Sequence, residues 1–472
     1  MGKIWLRVAR RLDKLTDKLV DLYARFRNAL SPGWIENNES AINELKLMLR
    51  AFNRSPLGVF GALLVVVFFV VGIFGPYIAP EPYWEFYIYP KNAPPGYEGI
   101  LFGADFYGRD LLSVLLYGFR VSMVISIIVV AFGAPLGILL GLISGYYGGN
   151  VDETIMRITD MFYAFPALVL AMAFAAVLPD RMAAFLDSVP PLKDLLVFIF
   201  AIRQTDAGNL GAMLSIILAM VIVWWPGYTR MTRALVLSVK ENVYVEAAKA
   251  LGLSNFQIMR KHILPNIMSI ILVMVTIDLG SVIILEAALS YFGLGAQPPI
   301  PEIGRIIYDM AGYLPAVWWG VVYPGIALFI VGLGWNLLGD VLRDVVDPRT
   351  RRSIEFGLKE ERIFIEDIIS FIGDILFFVG LGLVIWLSGD VVAITMVLIL
   401  VTLQIIIWKS VNVVKILRKL YVGEAVSSVI YWVLFYFLWD YMYTGLIGTI
   451  VVFVGMVMIM ISGIMSERRE QE

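Results

Sequence analysis

The sequence contains no cysteine and only one histidine, His262. Without cysteine the chain has no disulfide, no thiol nucleophile and no thiolate metal site, and a single histidine excludes a metal site built from several. The sequence also lacks a Gly-x-x-x-x-Gly-Lys-Ser/Thr phosphate-binding loop and the His-Glu-x-x-His and Gly-x-Ser-x-Gly motifs. Charged residues make up only 16% of the 472 residues, and the net charge of −2 argues against nucleic-acid binding. These absences disfavour an enzyme.

Apolar residues, by contrast, make up 60% of the chain, against about 45–50% in an average soluble protein. They come in runs near the ~20 residues that a helix needs to cross a bilayer. The runs do not alternate apolar and polar residues as barrel strands do, so helices are predicted. The fold class is therefore an all-α polytopic membrane bundle. Ten spans are predicted, near 57–78, 121–144, 161–178, 211–228, 268–290, 321–340, 368–387, 391–408, 425–439 and 446–463.

Lysine and arginine are sorted unevenly between the two sets of connecting segments. With ten spans and a cytoplasmic N-terminus, thirty of the 37 basic residues fall in cytoplasmic segments and six fall outside. Basic residues concentrate on the cytoplasmic side of plasma-membrane proteins. The sequence thus predicts a multi-pass plasma-membrane protein whose N-terminus is cytoplasmic.

The first 56 residues precede the first span and carry an amphipathic helix pattern. Apolar residues recur at alternating steps of three and four from Trp5 to Phe26, and the pattern ends at Ser31-Pro32-Gly33. Basic residues lie off this stripe, at Lys3, Arg7, Arg10, Arg11, Lys14 and Lys18. Two interpretations remain open: a helix lying on anionic lipid headgroups, or a coiled coil with a partner.

A polar stretch at 240–266 stands between the fourth and fifth spans, on the predicted cytoplasmic side. A helix is expected over about 242–251, followed by Gly252 at the position where helices end in a left-handed residue. Ser254 and Gln257 form a capping box that opens a second helix, and Pro265 is expected to end it. The pattern predicts two short helices around a tight corner that protrudes into the cytoplasm.

This stretch and its flanks resemble ATP-binding-cassette importer permeases, specifically the dipeptide/oligopeptide/nickel group. The resemblance extends over about residues 50–350. Its motifs are Glu246-Ala247-Ala248 with Gly252 and Ile263-Leu264-Pro265, Gly103-Ala104-Asp105 with Gly108-Arg109-Asp110, Tyr117 to Arg120, Trp225-Pro226-Gly227-Tyr228, Leu285 to Pro299, and Asn336 to Asp340 with Asp347-Pro348-Arg349. The first motif resembles the EAA loop, which in that family carries the coupling helix that contacts the ATPase subunit.

The resemblance implies a type I importer permease core of six spans, to which this chain adds about four C-terminal spans. It implies that two separate ATP-binding subunits hydrolyse ATP with Mg²⁺, while this chain binds no cofactor itself. Further implied partners are a second permease subunit in a heterodimer, an extracytoplasmic substrate-binding protein and membrane lipid. The implied cargo is a short peptide, with oligosaccharides or nickel as the alternative cargo of related systems.

The docking function of the family's EAA loop is carried over to the matching residues. The ATPase-docking residues implied in this way are Glu246, Ala247, Ala248, Gly252, Arg260 and Lys261, with Arg233 nearby. Glu286-Ala287-Ala288 repeats the same letters, but it lies at the outer end of the fifth span, on the wrong side for an ATPase.

Asp278 lies near the middle of the fifth span, where a carboxylate costs about 2.5–3.5 kcal/mol on insertion scales and usually faces a cavity or a partner. The candidate translocation-path residues are Asp278, Glu286 and Asn336. On the path, Asp278 would favour a cationic group such as a peptide amine. The other interpretation of Asp278 is a hydrogen-bonded packing residue.

Five parts follow one another along the chain. They are the cytoplasmic amphipathic segment 1–56, the first span with its outer loop 57–116, the permease core 117–345 with the coupling loop at 240–266, a cytoplasmic linker 346–367 and an accessory four-helix membrane extension 368–472. The competing function of another class is an ion-coupled secondary transporter. Such transporters need several intramembrane ionisable residues and usually two repeated halves, and the sequence has few such residues and no evident repeat.

Overall fold

A computed structural model describes residues 2–346 of the chain. The predicted linker beyond residue 346 and the four predicted accessory spans lie outside the described residues. Within the described residues the chain is helical, with one isolated bridge between Ala104 and Asp110, so the predicted all-α class is confirmed. The helices are α1 (Gly2–Leu30), α2 (Trp34–Asn37), α3 (Glu39–Arg54), α4 (Pro56–Ile78), α5 (Leu111–Tyr147), α6 (Gly149–Tyr163), α7 (Ala167–Val177), α8 (Pro179–Ser188), α9 (Pro190–Phe200), α10 (Leu210–Val239), α11 (Val243–Ala250), α12 (Asn255–Ile258), α13 (Leu264–Tyr291), α14 (Ile303–Ala311) and α15 (Trp319–Val346).

Five stretches of continuous helix are long and apolar enough to cross a membrane. They correspond to α4, α5, α10, α13 and α15, the third and fourth together with the short segments that precede them. These helices match predicted spans one, two, four, five and six. We call the end of the bundle that carries residues 240–263 the inner end and the opposite end the outer end.

The third span is a bent pair of helices and not the single helix predicted at 161–178. α6 and α7 meet at 84°, and α7 alone has only 11 residues, or roughly 16 Å of helix. α6 is joined to the inner end of α10 through Asp152 and Arg233, whereas α8, directly after α7, packs against Gly211 at the outer end of α10. The pair therefore crosses the bundle. The break falls at Phe165-Pro166 because a proline disfavours helical backbone in the residue before it.

Span two packs against span four along a row of glycines. Gly133, Gly137, Gly141 and Gly145 recur at every fourth residue of α5 and so lie on one face. A Cβ atom at Gly141 would lie 2.6 Å from the carbonyl oxygen of Thr229, closer than carbon and oxygen can approach. The backbones of α5 and α10 therefore meet at a distance that only glycine permits. This contact was not predicted from the sequence, although the spacing of the four glycines is its signal.

Spans one, five and six form a second tightly packed group. A Cβ atom at Gly61 of α4 would lie 2.8 Å from the backbone nitrogen of Leu338 in α15. A Cβ atom at Gly280 of α13 would lie 2.6 Å from Cβ of Trp335, also in α15. Small residues on α4 and α13 thus let α15 pack closely between them.

The outer loop between α4 and α5 is held by a buried ion pair. Arg109 donates to Asp105 from its Nε atom at 2.7 Å, and both side chains are almost fully buried. The same guanidinium donates to the carbonyl oxygens of Tyr83, at 3.3 Å, and Pro299, at 2.9 Å. It therefore ties two outer loops together, and the buried guanidinium and carboxylate compensate each other's charge. Asp110 then caps α5 by accepting from the backbone nitrogen of Ser113 at 2.9 Å.

The N-terminal segment forms an antiparallel hairpin of α1 and α3. α1 ends at Leu30, as the sequence predicts, and the chain turns back through α2. α3 ends at Arg54 and leads into span one, where Ser55 caps α4 by accepting from the backbone nitrogen of Gly58 at 3.2 Å. The last turns of α3 pack on Val341 and Val345 of span six. The base of the hairpin is therefore fixed to the inner end of the bundle.

Candidate coupling loop and translocation path

The loop between spans four and five begins with α11, whose inner face is anchored in an apolar core. Val245 and Ala248, three residues apart, are 0% and 3% exposed. They belong to a cluster that also contains Val236 at the end of α10 and Ile263 and Ile267 at the start of span five. Helical spacing thus turns one face of α11 towards the bundle and leaves the other face free.

Gly252 makes the corner after α11, as predicted. Its φ of 78° is in the left-handed region, which glycine adopts without a steric penalty. The backbone nitrogen of Gly252 donates to the Lys249 carbonyl at 2.9 Å, and that of Leu253 donates to the Ala248 carbonyl at 3.2 Å. These two bonds are the Schellman pattern, which satisfies the last carbonyls of a helix. The corner is therefore a defined structure and not a loose turn.

The predicted capping box after the corner is also confirmed. The Gln257 backbone nitrogen donates to Ser254 Oγ at 3.3 Å, and the Ser254 backbone nitrogen donates to Gln257 Oε1 at 2.9 Å. The two residues thereby satisfy each other's free backbone groups at the start of α12.

The expectation that Pro265 ends this second helix is wrong. α12 continues through a π-helical segment, Met259–Ile263, directly into α13. Pro265 is the second residue of α13 and has no N–H to donate to the preceding turn. The wider π turn takes up the local change in hydrogen bonding. The loop is therefore joined to span five by continuous helix.

Of the six residues predicted to dock on an ATPase, five are exposed. Glu246, Ala247, Gly252, Arg260 and Lys261 lie on the free surface of the loop. The sixth requires a correction. Ala248 is buried beneath the loop and supports it from below, because it lies on the same helix face as Val245.

The loop also exposes large apolar side chains that are not among the docking residues predicted from the sequence. Val243 and Leu251 are each 80% exposed, and Phe256 is 65% exposed. Exposed apolar groups this close together on a polar loop are typical of a contact surface for another protein. The sequence held one signal for this exposed surface, because Leu251 and Phe256 lie on the two sides of the Gly252 corner.

The base of the loop is cross-linked to spans two and three by polar contacts. Arg233 near the end of α10 makes a two-pronged ion pair with Asp152 of α6, with both distances at 2.5 Å. Asp152 also accepts from Ser144 Oγ of α5 at 2.5 Å. Lys240, at the start of the loop, donates to the Gly145 carbonyl at 3.2 Å. Movement of the loop would therefore be transmitted to α5 and α6 as well as to α10 and α13.

The three candidate path residues occupy different environments. Asp278 is half-buried, and its Oδ2 atom accepts from Trp224 Nε1 of span four at 3.0 Å. Asn336 is exposed on α15.

Glu286, the third candidate, is 1% exposed and accepts from Ser122 Oγ of span two at 3.0 Å. It lies beside Glu302, which caps α14 by accepting from the backbone nitrogens of Gly304 and Arg305. Burial raises the pKa of Glu302 above its usual range. Glu286 thus joins span five to span two and to the outer loop.

Six apolar spans with a rigid, exposed loop between the fourth and fifth define a polytopic membrane transport permease. The family described as the inner membrane component of binding-protein-dependent transport systems matches residues 137–352. The N-terminal transmembrane domain of oligopeptide transport permease C matches residues 44–95. The chain belongs to this family, the inner-membrane permease subunits of ATP-binding-cassette importers, and it is a transport component and not an enzyme.

Individual relatives agree with this membership. The dipeptide transport system permease protein DppC of Alkalihalophilus pseudofirmus is 32% identical over 317 residues, which cover 67% of this chain and 93% of the relative. The probable D,D-dipeptide transport system permease protein DdpC of Escherichia coli K12 is 34% identical over 62% of this chain and 88% of its own length. The glutathione transport system permease protein GsiD of Escherichia coli O157:H7 is 35% identical over 64% and 89%. The resemblance inferred from the motifs is therefore confirmed.

Proposed function

We propose that this chain is one permease half of an ATP-driven importer that carries short peptides delivered by an extracytoplasmic substrate-binding protein. The observation that carries the ATP-driven part is the coupling loop, which exposes apolar and charged groups on a rigid corner. The named substrates of the three relatives, a dipeptide, a D,D-dipeptide and glutathione, support a short peptide as cargo. None of these three relatives is named for oligosaccharides or nickel, the other cargo classes.

In the proposed mechanism, the loop fits a groove on a separate ATP-binding subunit. Leu251 and Phe256 supply apolar contact area on the two sides of the corner, and Glu246 supplies a charge at the start of the surface. Two such subunits bind and hydrolyse ATP with Mg²⁺, and this chain binds neither. A second permease subunit forms a heterodimer with this chain and completes the translocation path. The N-terminus, the loop and the end of α15 face the cytoplasm.

Movement of the coupling loop would reach the membrane spans through three connections. The continuous helix from α12 to α13 carries it to span five, and the Arg233–Asp152 pair carries it to span three. The glycine row carries it from α10 to α5, because two backbones in direct contact move as one unit. Closure of the ATPase pair would thus shift spans two to five together between inward-facing and outward-facing arrangements.

Co-purification of the chain with its ATPase subunit tests the docking role. Leu251→Ser is expected to weaken that association by roughly ten- to 100-fold, since burying a leucine side chain contributes about 1.5–3 kcal/mol. The readout is the amount of ATPase subunit retained on the affinity-tagged chain in mild detergent. Leu101→Ser is the matched control, because Leu101 is 69% exposed at the outer end. Equal retention by both variants, or no ATPase with the unmodified chain, would contradict the proposal.

Asp278→Asn tests whether the candidate path recognises cationic cargo. Asp278 accepts a hydrogen bond from Trp224, a carboxylate can accept several such bonds, and a hydrogen bond to a charged group contributes about 1.5–3 kcal/mol. Uptake of a peptide with a free amine is therefore expected to fall by roughly tenfold or more, while uptake of the N-acetylated peptide changes little. Asp340→Asn, at the exposed inner end of α15, is the control. An equal change for both peptides would assign Asp278 to packing.

A further inference from the structure

Among residues 2–346, the hairpin of α1 and α3 leaves one long face of α1 uncovered. Apolar residues exposed between about 40% and 65% follow one another along this face over six turns. They are Val8, Leu15, Leu19, Leu22, Phe26 and Leu30. A second face, formed by Ala9, Val20 and Ala24, is buried and packs in the hairpin. We name the uncovered set the α1 stripe. A contiguous exposed stripe of this kind marks an interaction surface.

The charges of α1 are sorted around this stripe. Its acidic residues all turn towards α3, where Asp21 pairs with Lys46 at 2.6 Å and Asp17 pairs with Arg50 at 2.8 Å. Asp13 accepts from Asn53 at 3.0 Å. The exposed basic residues are Arg10, Arg11, Lys14, Lys18, Arg25 and Arg27. On a helix, Arg11, Lys18 and Arg25 share one row, directly beside the stripe. The surface that faces outwards is thus apolar with a basic border.

The hairpin is attached where α3 leads into span one. Trp5 Nε1 donates to the Arg54 carbonyl at 3.0 Å, which places the start of α1 beside the residue that precedes Ser55 and α4. Tryptophan is typical of membrane–water interfaces. From there α1 extends for 29 residues, or roughly 43 Å of helix. A helix of that length, fixed at the membrane surface at one end, can lie along the surface with its stripe downwards.

We propose that the α1 stripe lies on the lipid leaflet from which span one starts, with its basic border on anionic phospholipid headgroups. The charge sorting favours lipid over a protein partner, because an apolar face bordered by arginine and lysine matches an anionic interface. In this position the hairpin holds α3 against span six at Val341 and Val345, and so braces the inner end of the bundle. The proposal depends on neither the cargo nor the ATPase.

The test uses the full chain, assembled with its partner subunits in nanodiscs. Since the chain has no cysteine, a spin label attached to one introduced cysteine before the partner subunits are added reports a single position. Leu19→Cys places it on the stripe, and Arg10→Cys places it on the exposed opposite side of the same helix as the matched control. Accessibility to oxygen, which concentrates in lipid, is compared with accessibility to a water-soluble nickel complex. The nanodiscs contain either phosphatidylglycerol with phosphatidylethanolamine, or phosphatidylcholine alone.

The expected result is a Leu19 label open to oxygen and shielded from nickel in the anionic nanodiscs, with the Arg10 label open to nickel. In phosphatidylcholine the shielding at Leu19 should decrease. Replacing Lys18 with glutamine should shift the balance towards water by about fivefold, the contribution of one basic residue at an anionic surface. A Leu19 label open to nickel in anionic nanodiscs would overturn the proposal. A label shielded from both reagents would also overturn it, because it would assign the stripe to a protein partner.

Discussion

Glu246→Arg is expected to abolish ATP-driven uptake while the chain still inserts in the membrane. Glu246 is exposed in the first turn of α11 and lies on the surface that we propose contacts the ATPase subunit. Placing a charge of the wrong sign at a buried interface position costs about 2–5 kcal/mol, or roughly a 30- to 5,000-fold loss of affinity. Folding should be preserved because the core of the loop is formed by the buried face of α11, with Val245 and Ala248, and not by Glu246. Uptake of labelled peptide by proteoliposomes and retention of the ATPase subunit are the two measurements.

Glu36→Arg is the matched control for this charge reversal. Glu36 is exposed at the tip of the N-terminal hairpin, and the substitution changes net charge by the same amount without touching the loop. It should leave uptake and ATPase retention close to those of the unmodified chain. Normal uptake by Glu246→Arg would refute docking through this surface, and equal losses in both variants would point to a general effect of charge.

Gly141→Leu is expected to prevent correct assembly of the bundle itself. A side chain at this position would meet the Thr229 carbonyl oxygen and the Thr232 Cβ, each 2.6 Å from the new Cβ, and the Arg233 backbone nitrogen at 3.0 Å. Two of these atoms belong to the backbone of α10, which cannot move aside as a flexible side chain could. We expect destabilisation of at least about 3 kcal/mol, the upper end of the usual cost of overpacking. Thermal unfolding of the detergent-extracted chain measures it.

A graded series separates this steric effect from a general intolerance of larger residues in the spans. Gly141→Ala should destabilise less than Gly141→Leu, because it adds only the Cβ atom. Gly325→Leu is the matched control, since a Cβ at Gly325 would meet no atom within 4 Å. It should leave the unfolding temperature of the isolated subunit nearly unchanged. Similar unfolding temperatures for Gly141→Leu and Gly325→Leu would show that close contact of α5 and α10 is not required.

The membrane spans of the described part could be predicted because their signal is local and strong. Each run of about 20 apolar residues must become a helix in lipid, where unpaired backbone groups have no water to bind. Span three was harder to predict, because its bend depends on Pro166 and its second half is too short to cross alone. Its path across the bundle follows only from its contacts, with Arg233 at one end and Gly211 at the other.

The structure of the coupling loop could also be predicted only in part. Gly252, Ser254 and Gln257 could be assigned roles from sequence because helix caps form among residues only a few positions apart. The continuation through Pro265 could not be assigned, since a proline at that spacing is compatible with either the end of one helix or the first turn of another. The burial of Ala248 and the exposure of Leu251 and Phe256 depend on where α10 and α13 lie beneath the loop.

By itself, the sequence determined the membrane class, five of the six core spans, the caps of the coupling loop and, through its motifs, the resemblance to a permease family. It did so because apolar run length and short-range capping are properties of neighbouring residues. Only the tertiary structure decided which side of α11 is free, that four glycines of α5 meet the backbone of α10, and that Asp13, Asp17 and Asp21 turn to α3 and leave the α1 stripe bordered by basic residues. These features depend on contacts between residues far apart in the chain, and helical periodicity alone does not specify which face finds a partner.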